Sequence, residues 1–424
     1  MMKKNRTIYF LLALVCLGLQ SCLFQEEDYF DDSSANRATA DVKRCSELLE
    51  AAPNGWVMEY YVGKDYSLGG ITLLCKFDGQ RVTMASQIAG ADETVSSLYS
   101  VKSEQATMLS FDTYNYLVHY FGQPQGSMAD DPNGTLGGDY EFVISDATAD
   151  RIELKGKKYG NRIVMKAFSA DQTWKQYLTR IKKVEDDAFF YEYDLRMDGL
   201  YTGQMLRSNY TFIVTYYDEV GKVHQKTVPF MFTTDGMRFH EPVTIDGQTM
   251  QNFVWKNEEI SFVCTDEGAT EVKLAGVYTA GYQSYDYYPG TYQMDFYRLN
   301  DATNQMEVAS QEIQLVKDED GKSYWLKGLE YDILVTYDKP RGGLSILPQF
   351  LKKVQGGYVY LAMWDLMNDY VLRSSAIGLI SYPTTDGIYL VDNGVWMDEI
   401  SGFIFGVYDS QDEEASPKIN PEIS

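Results

Sequence analysis

The sequence predicts a mainly β protein, α+β in its N-terminal part, built of antiparallel β meanders with a few helices and ending in a barrel- or sandwich-like β module. Three observations lead there. Six Asp-Gly pairs, starting at Asp78, Asp198, Asp235, Asp246, Asp320 and Asp386, and three Asn-Gly pairs, at Asn54, Asn133 and Asn393, supply the positive φ that tight hairpins need. Runs between them read as strands, with an alternating face as from Ile71 to Phe77, and helical periodicity is confined to a few short stretches. Tyrosine is unusually abundant at 34 residues, and its ring packs well on a pleated surface.

The first element is a helix. Val42, Cys45, Leu48, Leu49 and Ala52 recur at helical spacing over residues 35–52, and Pro53-Asn54-Gly55 stops the pattern. From Trp56 onward strands dominate. Ile71, Leu73, Cys75 and Phe77 share one face of a strand, which makes Cys75 a small hydrophobe of the core. A short helix is expected within 113–121, and a longer one after Ser169. There Ser169 to Gln172 fits a capping box, and Trp174, Tyr177, Leu178, Ile181 and Val184 form an apolar stripe. This helix is expected to pack on sheet and to divide two β regions. The second region contains a hairpin, Tyr210–Tyr217 with Lys226–Phe232, and continues as a meander. After Pro289-Gly290, eight or nine short strands follow, enough for a barrel or a sandwich. The expected organisation is a signal segment (1–21), an acidic tether (22–33), an N-terminal α+β module (34–185), a second β module (186–275) and a C-terminal β module (276–424).

Lys3, Lys4 and Arg6 precede an apolar run from Ile8 to Leu19, which is too short to span the ~30 Å of a bilayer's hydrocarbon. Leu19-Gln20-Ser21-Cys22 closes the run and resembles a lipobox, with Gln20 where a small or aliphatic residue is usual. The resemblance implies cleavage before Cys22 and attachment of acyl chains, palmitate among them, to Cys22. Several chains anchor stably because each buried CH₂ contributes about 0.8 kcal/mol. The acidic Gln25-Glu26-Glu27-Asp28 is similar to the export tag of surface-exposed lipoproteins of Bacteroidetes-type bacteria, which implies an outward-facing place on the outer membrane.

The formal net charge of −24 argues against nucleic acid, because neutralising a polyanion takes clustered Lys and Arg. It argues equally against lying flat on an anionic leaflet. Beyond Cys16 and Cys22 the chain contains Cys45, Cys75 and Cys264, so at least one thiol has no intrachain partner. His119, His224 and His240 are the only histidines, and none has a second at metal-ligand spacing, so neither a metal nor another cofactor is expected. His119 reads as a helix residue at a core edge and His224 as exposed hairpin. Gly-x-Ser-x-Gly and Ser-x-x-Lys are both absent. Gly321-Lys322-Ser323 lacks the first glycine of a phosphate loop and follows three acids, so it reads as a hairpin turn. Asp130-Asp131-Pro132-Asn133-Gly134 offers oxygen ligands without the spacing of a calcium loop.

The segments Asn54-Gly55-Trp56-Val57-Met58-Glu59-Tyr60-Tyr61, Ser110-Phe111-Asp112-Thr113-Tyr114-Asn115, Asp139-Tyr140-Glu141-Phe142, Leu154-Lys155-Gly156-Lys157-Lys158-Tyr159-Gly160-Asn161 and Pro229-Phe230, with the lipobox and acidic tag, resemble a family of uncharacterised Bacteroidetes surface lipoproteins. The resemblance covers about residues 22–260, and the later section is similar only in general to lipocalin-like β modules. It implies an accessory role beside a TonB-dependent importer and its nutrient-capturing lipoprotein, in glycan or peptide acquisition. It implies no catalytic residue.

The remaining candidate chemistry is the cluster Tyr282, Tyr285, Tyr287 and Tyr288, with Gln283 and Asp286 between the rings. Ring faces beside hydrogen-bonding groups suit a sugar or a peptide, while tyrosines equally line strand ends and module seams. The expectation is therefore a lipid-anchored surface protein that binds or scaffolds without catalysis. The alternatives are a secreted hydrolase with paired carboxylates, and a purely structural envelope protein.

Overall fold

The computed structural model describes residues 34–411 except 125–134, 219, 301, 304, 385 and 386, together with the backbone of Pro417 and Lys418. Cys22, the acidic run behind it and the loop Asp130–Gly134 lie outside the described residues. The chain divides into two compact units, Met1–Thr179 and Arg180–Ser424.

In the first unit, helix α1 (Ser34–Ala51) buries Cys45 and Leu49 and precedes a barrel. Its strands are β1 (Trp56–Val62), β2 (Gly69–Asp78), β3 (Arg81–Ser86), β4 (Val95–Ser103) and β5 (Thr107–Phe111), then, after the short helix α2 (Tyr116–His119), β6 (Glu141–Ala147), β7 (Arg151–Gly156) and β8 (Arg162–Ala167). Each strand pairs antiparallel with the next, and β8 returns to β1 with Trp56 opposite Ala167 and Tyr60 opposite Ile163. The sheet is closed and has no edge. Alternation puts Trp56, Met58 and Tyr60 on one buried face with Cys75, Leu73 and Ile71 across from them.

Residues from three of the segments that carry the family resemblance hold this unit together. The Trp56 indole donates to the Leu49 carbonyl at 2.8 Å, tying α1 to β1. The Tyr60 hydroxyl donates to the Asp139 carbonyl at 2.9 Å and accepts from the Asp139 N–H at 2.5 Å. Asn161 donates to the Gly137 carbonyl at 2.7 Å. Gly156 must be glycine, because a Cβ there would stand 1.9 Å from an Asp139 carboxylate oxygen. These are buried polar groups whose partners are backbone, and such groups set geometry.

Helix α3 (Trp174–Asp187) starts later than expected. The reciprocal box is Thr173 with Gln176, in which the Thr173 hydroxyl accepts from the Gln176 N–H at 3.2 Å and the Gln176 side chain accepts from the Thr173 N–H at 2.9 Å. Ser169 lies a turn too early, since its Phe168 neighbour is still packed on the sheet. Trp174, Tyr177 and Leu178 cover Leu74, Ala85 and Phe168 on the outer face of β2 and β3.

The second unit opens with another closed barrel. Its strands are β9 (Glu192–Met197), β10 (Leu200–Ser208), β11 (Thr211–Tyr217), β12 (Val223–Phe232), β13 (Gly236–Ile245), β14 (Gln248–Lys256), β15 (Ser261–Cys264) and β16 (Lys273–Val277), with β16 closing on β9. The meander expected here is thus a barrel, because the closing pair lies some eighty residues apart and leaves no local signal. Tyr193, Phe212, Phe230, Phe232, Phe239 and Phe262 are 1 % exposed or less, with Phe212 stacked on Phe230 at 4.5 Å. Aromatic side chains occupy the interior, as in small barrels generally. The Asp-Gly pairs divide by role. Asp198-Gly199 and Asp246-Gly247 both have two positive φ angles and make the tight turns β9–β10 and β13–β14. Gly236 instead has ordinary strand geometry and is required for close approach, a Cβ there falling 1.9 Å from the Phe253 carbonyl.

The C-terminal section forms two sheets. Strands β17 (Gly290–Asn300), β18 (Gln305–Lys317), β19 (Ser323–Lys327), β20 (Ile333–Asp338) and β21 (Gly343–Ile346) run in order. After β22 (Gln349–Val354), β23 (Gly357–Asp365) and β24 (Tyr370–Leu372), strands β25 (Leu379–Pro383) and β26 (Ile388–Asp392) rejoin the first sheet beside β21, making seven strands. The second sheet holds β22, β23, β24, β27 (Gly402–Tyr408) and β28 (Pro417–Lys418). Leu361 and Met363 of β23 pack with Leu315, Tyr324, Ile333 and Val335 in one core, so the section is sandwich-like. It is not a closed lipocalin-like barrel, since β17 and β26 remain at the two ends of their sheet. Cys45, Cys75 and Cys264 are all buried free thiols.

Replacing Tyr60 by Phe strands a buried N–H and a buried C=O of Asp139, so Tyr60→Phe is expected to lower the stability of the first unit by about 1–3 kcal/mol. Tyr114→Phe, at a ring 64 % exposed, is expected to change nothing measurable. Urea titration of the two variants checks both.

Candidate functional site

The tyrosine cluster is largely spent on structure. Tyr288 is fully buried, its hydroxyl donating to the Gly342 carbonyl at 2.8 Å. Tyr285 donates to the Ser323 carbonyl at 2.8 Å, and its own carbonyl accepts from Tyr324 at 2.6 Å. Tyr282 stacks on Phe189, meets Tyr278 at 4.5 Å and accepts a hydrogen bond from Tyr337. Burial raises the phenol of each of the three above the ordinary tyrosine range. The expectation that this cluster faces a ligand is therefore corrected for Tyr288, whose ring is core, for Tyr285, whose ring packs on Tyr324 and Tyr337 of the sandwich, and for Tyr282, which joins Phe189 and Tyr278 at the ends of the second barrel to Tyr337 of the sandwich. Only Tyr287, 48 % exposed and edge-on to Tyr288, keeps an open ring. The reason is the phenol itself: a ring can be buried wherever a carbonyl meets its hydroxyl.

Titratable groups follow the same pattern. Among the described residues Asp139 is the carboxyl raised above its ordinary range, by burial, while the amides of Lys158 and Tyr159 donate to its oxygens at 2.7 and 3.2 Å and pull the other way. Those amides occupy the oxygens a proton-transfer role would need. Burial lowers His119, whose Nδ1 accepts from the Asn115 N–H at 3.1 Å and whose ring stacks on Tyr140. His224 pairs with Asp218 at 2.9 Å across its hairpin. In the turn at Gly321, the Asp320 carboxylate accepts from the N–H groups of Lys322 and Ser323, the donors a phosphate would take. No group of three or more His, Cys, Asp or Glu residues among the described residues is placed to hold a metal.

An open trough of about 590 Å³ lies in the first unit between the outer face of β2–β3 and the entry to α3, lined by Asn54, Lys76, Thr83, Phe168 and Trp174 among others. Asp171 is the one acid in its wall. The pair of carboxylates that glycoside hydrolysis uses is not part of it.

The surface that the structure itself singles out lies in two loops of the sandwich, 366–369 between β23 and β24 and 393–401 between β26 and β27. Met367 is 86 % exposed, Met397 84 %, Val395 56 % and Tyr370 54 %. Tyr370 meets Trp396 edge-to-face at 6.0 Å. Beneath them Asp365 is fully buried. One oxygen accepts from the N–H groups of Met367 and Asn368, both at 3.1 Å, and the other from the Asn368 amide at 2.9 Å and the Trp396 indole at 3.1 Å. One carboxylate thus clamps both loops. The Asn368 amide above all, with the Trp396 indole and the backbone donors, holds the Asp365 carboxyl below the ordinary aspartate range. Ser401 adds a second tie, its N–H donating to the Trp364 carbonyl at 2.9 Å. The result is a fixed aromatic pair, Tyr370 exposed and Trp396 half-buried against the sandwich core, with exposed, adaptable thioethers in the same two loops, a surface suited to apolar faces of a ligand. The sequence carried its signals in Asp365-Leu-Met-Asn368 and Asn393-Gly-Val-Trp-Met397: apolar residues where a turn should be polar.

The architecture defines a class, two aromatic-filled β-barrels followed by a two-sheet sandwich. Residues 26–257, more than half of the chain, match the family model described as a domain of unknown function (DUF4302), and the chain belongs to that family. Residues 265–394 match a second model, also described as a domain of unknown function (DUF4987). That match includes Tyr370 and stops before Trp396. No curated protein matches the chain. Among solved structures, the Botulinum Neurotoxin Type G Receptor Binding Domain aligns over 77 % of this chain and 73 % of that chain at 9 % identity, with a TM-score of 0.12 that carries no argument.

Because Asp365 is depressed, its contribution to loop order is present above the ordinary aspartate range and is lost as pH falls through its lowered value. Carbon NMR titration is expected to place the Asp365 carboxyl below 3.8. In Asp365→Ala the amides of Met367 and Asn368 should exchange freely while those of β27 stay protected.

Proposed function

We propose that this chain is a lipid-anchored cell-surface protein that binds its ligand without transforming it, as an accessory to outer-membrane uptake of a glycan or peptide. Cys22 takes the lipid, the acidic run behind it directs the protein outward, and a TonB-dependent importer complex is the setting. The support for the anchor is the sequence from Lys3 to Asp28. The family resemblance supports the setting, and membership in a family of unknown function leaves the activity open to proposal.

The observation that carries the binding reading is the clamped pair Tyr370 and Trp396, in the same two loops as the exposed Met367 and Met397. Side chains this apolar are costly to hold at a surface, and a buried carboxylate fixes the loops that hold them. A fixed aromatic pair loses little entropy on binding, which is how such rings become the dominant contacts of an interface.

The test is a glycan and peptide array probed with the chain from residue 23 onward. Binding is expected, with Tyr370→Ala combined with Trp396→Ala weakening it roughly tenfold or more, as for other aromatic anchors. Tyr287→Ala should bind like the parent. A silent array, or an unchanged double variant, defeats the proposal.

A further inference from the structure

We propose that strand β26, the open edge of the seven-stranded sheet, docks an extended, cationic segment of another protein, which adds to the sheet as an eighth strand. This goes beyond the loop surface described above and rests on a different observation. The argument begins with hydrogen bonds. The Thr384 N–H donates to the Gly387 carbonyl at 2.8 Å and the Asn393 N–H to the Gly378 carbonyl at 3.0 Å. In an antiparallel ladder every second opposed pair exchanges bonds. Counting between those two points, Tyr382 with Tyr389 and Ile380 with Val391 are the bonded pairs. Ile388, Leu390 and Asp392 therefore turn their N–H and C=O groups away from β25, and no strand among the described residues pairs with them.

Edges of this kind are usually guarded by lysine, proline or a bulge. The other edge of the sheet, β17, carries Asp295 and Arg298 at exposed positions. Strand β26, Ile-Tyr-Leu-Val-Asp, has no lysine or proline, carries its one charge, Asp392, at its last position, and pairs with β25 without a register shift. Beside the open groups lies an apolar face: Tyr382 is 63 % exposed, Tyr389 55 % and Val391 41 %. Unpaired backbone next to exposed aromatic and branched side chains is what strand addition uses, the backbone for affinity and the side chains for selection.

Charge selects the occupant. Between Arg373 and Lys418 the chain has eight acidic residues and no lysine or arginine, and the whole chain carries −24. Asp392 is the charged residue on the edge strand itself, so a second copy, equally acidic overall, would be repelled, whereas a Lys- or Arg-bearing strand is attracted.

The test uses the chain from residue 23 and a fluorescent acetyl-(Lys-Val)₃-amide, with two comparison peptides, one with Glu for Lys and one N-methylated at each valine. The lysine peptide is expected to bind and to slow exchange of the Ile388, Leu390 and Asp392 amides, while Tyr389 and Val391 are already slow without it. The acidic and N-methylated peptides should bind at least tenfold more weakly. Tyr389→Lys with Val391→Lys should reduce binding by a similar factor, and the milder Tyr389→Thr with Val391→Thr severalfold. These variants leave array binding at Tyr370 and Trp396 intact, so the two proposals fail separately. Equal binding of the N-methylated peptide, protection elsewhere than at the open-edge amides, or concentration-dependent dimerisation that protects them without peptide, each overturns the proposal.

Discussion

A β-strand cannot be left with one side bare, and the architecture follows from how this chain meets that requirement. Twice it closes the sheet on itself. The β1–β8 and β9–β16 pairings convert two meanders into barrels with no edge to defend. In the third module the sheet stays open, and its shielding comes from a second sheet packed face-on. Face packing hides side chains, but it leaves the end strands' backbone groups as they were. Everything distinctive about the C-terminal surface descends from that difference.

Tyrosine is the residue through which the molecule reconciles burial with polarity. Tyr60, Tyr193, Tyr288 and Tyr324 are all fully buried, and each hydroxyl reaches a main-chain carbonyl. A phenylalanine would fill the same space without tying two segments together. These four tyrosines are architectural, as are the contacts around Trp56, Tyr60, Asp139 and Asn161. The proposed ligand surface, by contrast, depends on Asp365, a carboxylate that touches no solvent and holds two loops in place.

Much of the fold was legible in the chain. Alternation and turn dipeptides identified an antiparallel β protein, the periodicity around Cys45 and Leu49 located α1, and the stripe from Trp174 to Val184 located α3 within a few residues. The site was less legible. Tyr282, Tyr285 and Tyr288 have the composition of a binding cluster, yet composition does not report which side of a sheet a ring occupies or whether a carbonyl awaits its hydroxyl. Tyr370 and Trp396 lie 26 positions apart and meet ring to ring only because Asp365 ties the two loops together, which no short stretch of sequence shows.

The sequence by itself determined the class of fold, the turns at several Asp-Gly and Asn-Gly pairs, the buried thiol at Cys75, and the expectation of a lipid on Cys22. These depend on local periodicity, on backbone preferences of Gly and Asn, or on a contiguous motif, all of which are written within a few residues. Tertiary structure alone decided that two sheets close and the third does not, that Tyr285 and Tyr288 pack into the sandwich, and that the edge at β26 stands open. Those outcomes turn on which distant strands meet, and a pairing across eighty or a hundred residues is a global balance of loop entropy against buried area that no short window records.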